Sequence, residues 1–139
     1  MASLIYDSYF DDLNRGNIVP STDTFYGMLV TDAYVPNKGT HTKRSDVTNE
    51  VSGTGYTANG KVVSASVSVD TTNHRSDVTF VGPSWAASTL TARGIVIYKY
   101  RGGVASNDNL VAYVDFGSNI SSSGATFQVT FTSPLRIQN

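Results

Sequence analysis

GIVIYKYRGGVASNDNLVAYVDFG, residues 94–117, reads as two strands around a polar turn. Successive side chains alternate across a strand, so Ile95 and Ile97 point one way and Val96, Tyr98 and Tyr100 the other. The returning strand repeats the pattern, with Leu110, Ala112, Val114 and Phe116 on one face and Val111 and Tyr113 on the opposite one. A surface hairpin normally shows water one polar face. This one is apolar on both, so each face needs a cover.

Working outward, Ser3 to Arg15 predicts a short N-terminal helix. Ser3 stands as the cap, Ile5, Tyr9 and Leu13 recur at helical spacing, Tyr6 and Phe10 widen the stripe, and Gly16 is the stop. Asp7, Asp11 and Asp12 lie off that stripe and read as its solvated side. Residues 24–35 predict a first strand, apolar on both sides, followed by the loop PNKGTHTKR. Residues 45–51 predict a helical turn, with Ser45 as its cap and Val47 and Val51 one turn apart.

KVVSASVSVD, residues 61–70, alternates strictly. Val63, Ala65, Val67 and Val69 are expected to face inward and Ser64, Ser66 and Ser68 outward. The turn TTNHRS leads to a strand over DVTFV that Gly82-Pro83 ends. Trp85 falls in a segment without clear periodicity. After the hairpin, SNISSSGA predicts a turn, ATFQVTFT a last strand, and residues 134–139 a tail that leaves the sheet at Pro134. About seven short strands between turns predict one domain over residues 1–139, an all-β antiparallel sandwich, jelly-roll-like, with one short N-terminal α-helix.

A chain of 139 residues suits a single core, and the absence of cysteine rules out disulfides, thiolate metal sites and a cysteine nucleophile. Ten basic against eleven acidic residues, scattered along the chain, give no electrostatic footprint for nucleic acid. No apolar run approaches the ~20 residues of a membrane span, and MASLIYDSYFDD has no basic leader, so the expectation is a soluble product of the cytoplasm with no membrane partner.

The motifs with chemical potential have duller readings that fit better. His41 and His74 are the only neutral-pH bases, both in loops, and no G-x-S-x-G elbow supplies a nucleophile. DTTNHRSD gathers oxygen ligands but lacks the glycine and terminal glutamate of a calcium loop, and GTGYTA matches a dinucleotide fingerprint only as a string, because it precedes a strand instead of a helix. No catalytic, metal or cofactor residue is assigned. The positive signal is an excess of Tyr and Phe on sheet and helix faces, which points to assembly.

Three stretches, SDVTNEVSGTGYTANGK (45–61), TARGIVIYKY (91–100) and NLVAYVDFGSN (109–119), resemble in order and spacing a family of small tailed-bacteriophage structural proteins encoded near the major capsid protein. The resemblance spans residues 3–132, and the tail with Pro134 departs from it. It implies a non-enzymatic capsid decoration or cement protein, made in the bacterial host and placed on the capsid exterior of the virion. Such a protein bridges subunits of the major capsid protein and stabilises the head. Tail or neck components share such β domains, and a carbohydrate-binding jelly roll is the alternative from another class, with Trp85 as its aromatic platform. The expected interface residues are Tyr6, Tyr9 and Phe10 of the helix stripe, Lys38, Lys43 and Arg44 of the loop, and Tyr98, Tyr100 and Tyr113 of the hairpin. Either the helix covers the second hairpin face within one chain, or a second copy does so in a two-fold homodimer.

Overall fold

The computed structural model describes residues 2–139. The elements in order are β1 (Leu4–Ile5), α1 (Asp7–Arg15), β2 (Phe25–Val30), β3 (Lys61–Asp70), β4 (Arg75–Val81), β5 (Ser84–Lys99), β6 (Leu110–Gln128) and β7 (Leu135–Gln138). All seven strands join one sheet in the order β1-β6-β5-β2-β3-β4-β7, and every pairing is antiparallel. The expected all-β class with one short helix holds. Its second layer arises from the sheet curling over itself.

The curl is legible in β6. Phe116 and Phe127 would lie about 36 Å apart along a straight strand, yet their ring centroids are 6.2 Å apart. The strand therefore turns back. Gly117 and Gly124, at φ of 84° and 57°, take backbone conformations that side chains resist, and the β5–β6 register slips at several points between Trp85 and Tyr98. SNISSSGA is thus the bend inside one 19-residue strand and not a turn between two.

Both faces of the opening hairpin are covered within the chain. On one face Met28, Val30, Val96, Tyr98, Leu110 and Tyr113 pack with Tyr6 and with Tyr34 and Val47 of the long β2–β3 connection. On the other face the cover changes along the strands. Tyr9 and Ile18 sit over Phe25, Ile97 and Ala112, while the folded-back hairpin brings Trp85, Leu90 and Phe127 over Leu29 and Ile95. Truncating such a buried aliphatic to Ala costs about 2–5 kcal/mol.

Several local expectations are corrected. The helix begins at Asp7, because Leu4 and Ile5 pair with Tyr113 and Ala112 as an edge strand, and the Ser3 hydroxyl accepts the Asp115 N–H at 2.8 Å instead of capping. The first strand ends at Val30, and Tyr34 is buried in the connection beyond it. Residues 45–51 hold only one 3-10 turn, Arg44–Asp46, before the chain extends to bridge Glu50 with Val30. Asp12 is buried and accepts hydrogen bonds from the side-chain amides of Asn17 and Asn109. Pro134 does not release the tail: Leu135 to Gln138 form β7 and pair with Val78 to Arg75 of β4.

Candidate functional site

Beyond Val63, β3 leaves β2 and continues with β4 and β7 as a three-stranded arm. Cross-strand partners point to the same side, so Val67, Val78 and Leu135 form one row and Val69, Ser76 and Ile137 the next. The opposite side carries Ser64, Ser66 and Ser68, with ion pairs from Arg136 to Asp77 and from Arg75 to Asp70. Alternation has therefore built an amphipathic arm. Its apolar side is not core, as had been expected: Val67, Val69 and Ile137 are 45%, 73% and 65% exposed. Only Val63 and Phe80, near the root, are buried. The reason is length, since the arm reaches past the helix that would have covered it.

Between this side of the arm and α1 runs a groove of about 230 Å³, lined chiefly by Tyr9, Phe10, Leu13, Val67, Leu135 and Ile137. Phe10, Ile5 and Leu135 also border a second, wider groove of about 740 Å³ whose lining includes Asp7, Lys38 and Asp115. Phe10 is 48% exposed between the two. The charged residues of the wider groove lie apart, Asp7 beside Lys38 and Asp115 beside Ser3, with the Asp115 carboxylate held by Arg93 at 2.7 Å and kept below the ordinary carboxylate range by that bond.

The nine residues expected at an interface separate into four groups. Phe10 and Lys38 do meet, at the paired grooves. Tyr6, Tyr9, Tyr98 and Tyr113 are corrected to core residues, since all four are buried under the covers that two apolar sheet faces required. Tyr6 is bonded to the Tyr34 hydroxyl at 2.8 Å, and Tyr34 in turn to His41 Nδ1 at 2.9 Å; burial first, then the paired phenol, push Tyr6 well above the ordinary tyrosine range. Tyr98 is raised by burial as well.

Arg44 is a rivet. Its guanidinium donates to Asp108 at 2.7 Å and to Asn59 at 2.8 Å and lies over the Tyr98 ring, tying the long connection to the hairpin turn. Lys43 is half-buried beside it, and its backbone bridges to Asn109. The Asp46 carboxylate, which accepts the N–H groups of Thr42 and Lys43, is held below its ordinary range chiefly by the Thr42 bond. Tyr100 remains at the surface, stacked on Tyr26 on another side of the molecule.

Trp85 is fully buried under Phe127 and Tyr56, which removes it as a sugar platform. Sequence reasoning missed Val67, Val69, Leu135 and Ile137. The signal was present in the alternation of β3, but it was assigned to a core that the arm outruns. Among the described residues no cluster of three metal-ligating side chains occurs, and no helix is long and apolar enough to cross a membrane. No family model, curated protein or solved structure matches this chain.

Proposed function

We propose that the chain is a non-enzymatic docking protein of the capsid decoration kind, which grips a protein lattice through the grooves between α1 and the arm. The observation that carries this reading is the apolar side of the arm, where Val67, Val69 and Ile137 stand at 45% exposure or more, Val67 and Ile137 lining a groove with the exposed Phe10. A protein contact needs apolar surface with few charges, and the wider groove supplies Leu4, Ile5, Phe10, Phe131 and Leu135 with Asp7, Lys38 and Asp115 as its charged residues. The placement on a phage head, with the major capsid protein as partner, rests on the resemblance of residues 45–61, 91–100 and 109–119.

A ligand that binds an intact lattice and not its separated subunits stabilises the lattice by linkage, so many weak contacts suffice. One copy that touches two subunits gains further from effective concentration. The test is to add the purified protein to undecorated heads and measure bound copies and heat release of DNA. Saturable binding at a symmetry-fixed stoichiometry is expected, with delayed release. Val67→Asp and Ile137→Asp, in the groove beside Phe10, should weaken binding at least tenfold, about 1.4 kcal/mol, with little change in the thermal stability of the free protein. Equal binding by the variants, or a location confined to the tail, overturns this reading.

A further inference from the structure

At the root of the arm, where Tyr26 pairs with Val62 on the face that carries Ser64 and Ser66, Tyr26 and Tyr100 stack with ring centroids 4.0 Å apart and planes 14° apart. Tyr100 keeps 36% of its surface in water. The pair borders an open groove of about 680 Å³, between the turn at Thr57–Lys61 and the Gly82–Ser84 corner. That is within the roughly 300–1,000 Å³ of small-molecule sites. Val62 stands 52% exposed beside the rings.

The wall formed by the Thr57–Lys61 turn is fixed. Asn59 sits at a φ of 71°, with its N–H donating to Glu50 at 2.6 Å, its carbonyl accepting the Tyr98 hydroxyl at 2.5 Å and its Oδ1 accepting from Arg44 at 2.8 Å. Gly60 follows in the left-handed region and presses on β2, where a Cβ would overlap the Gly27 carbonyl. Three of the four polar groups of Asn59 are thereby held, and its side-chain NH2 is left at the rim without a partner among the described residues, as are the hydroxyls of Thr57, Ser84 and both tyrosines. A rigid rim of hydroxyl and amide groups around an aromatic plate is preorganised, so a ligand would not have to order it.

We infer that this groove is a binding site for a neutral saccharide, with one pyranose ring laid on Tyr100 and its hydroxyls hydrogen-bonded to the rim at Asn59, Thr57 and Ser84. The electrostatics select the class. Lys61 is the one charged residue lining the groove, and its ammonium is already engaged by the Ser84 carbonyl at 2.8 Å and by the Trp85 ring. A polyanion would find no free cation there, and a single-stranded nucleic acid needs such cations for its backbone. A sugar offers what the groove lacks: a flat C–H face for the electron-rich ring and hydroxyls that both donate and accept.

The test is a titration of the full-length, isotopically labelled protein with soluble neutral oligosaccharides of glucose, mannose, galactose and N-acetylglucosamine, followed by amide chemical shifts, with heparin and oligo-dT as charged controls. At least one neutral sugar should shift the amides of residues 57–61, 82–84 and 100–102 saturably. Tyr100→Ala should weaken that binding about tenfold, Tyr100→Phe by much less, and Ser84→Ala by an intermediate factor, all three keeping the wild-type spectrum elsewhere. No saturable shift with any neutral sugar overturns the inference. So does binding that maps to the arm, that survives Tyr100→Ala unchanged, or that is confined to the charged controls. Binding of Tyr100→Ala to heads reports on the docking grooves separately, because they share no lining residue with this one.

Discussion

Asp115 accepts a hydrogen bond from Arg93 at 2.7 Å on β5, and the bond holds its carboxyl below the ordinary range. A depressed folded-state pKa contributes stability above the unfolded value, near pH 4, and that stability is lost as pH falls through the folded value. Asp46, Asp70 and Asp77 are lowered too, so acid lability is expected of the whole domain. Asp115→Asn should cost about 1 kcal/mol at pH 7, a fall of roughly 2–4 °C in Tm. The gap from wild type should close as pH falls below about 4. Thermal melts of both proteins between pH 7 and pH 2 check this, and a constant gap would mean that the ion pair is not its source. At this scale the sequence is least legible. Arg44 stands in KGTHTKR like any solvated charge, and nothing local shows that Asp108 and Asn59 wait for it across the fold.

Among elements, β3 shows how far periodicity reaches. Its bounds, Lys61 to Asp70, and the side to which each residue points follow from alternation alone. Depth does not, because burial depends on which element lies opposite, and that is set by the long-range order of the sheet. Val63 faces Phe25 and Phe80 in the core, whereas Val67 borders a groove. Val63→Asp should therefore destabilise by several kcal/mol, the cost of burying an unpaired carboxylate. Val67→Asp should stay within about 1 kcal/mol, as surface changes do. Urea unfolding midpoints decide it, and equal losses would place the arm in the core. Pro134 misled in a related way. A proline bars a central strand but is tolerated at the start of an edge strand, which is where β7 lies.

For the molecule as a whole, the excess of aromatic surface that suggested assembly is mostly consumed internally, because two apolar sheet faces need two covers. Tyr6, Tyr34 and Val47 close one, and Tyr9 with the curled hairpin closes the other. What remains for partners is aliphatic and lies on the arm. The order of the sheet has a consequence in time. Only β2–β3, β3–β4 and β5–β6 join strands that are neighbours in sequence, the first across a long connection; β2 must also find β5, Leu4 must find Tyr113, and Leu135 must return to Val78. Pairings so distant in the chain are slow to form, because loop closure precedes any reward, and such β topologies fold in roughly milliseconds to seconds. The central seam of Ile97 with Gly27 and Ala112 joins the two hairpin strands to β2 and is the natural nucleus, whereas β7 docks on an edge that already exists. In stopped-flow chevrons Ile97→Val should slow refolding, and Leu135→Ala should leave refolding unchanged and hasten unfolding. The arm then completes itself last and opens first, so the surface we propose as the docking face is also the part whose hydrogen exchange a bound partner would retard most.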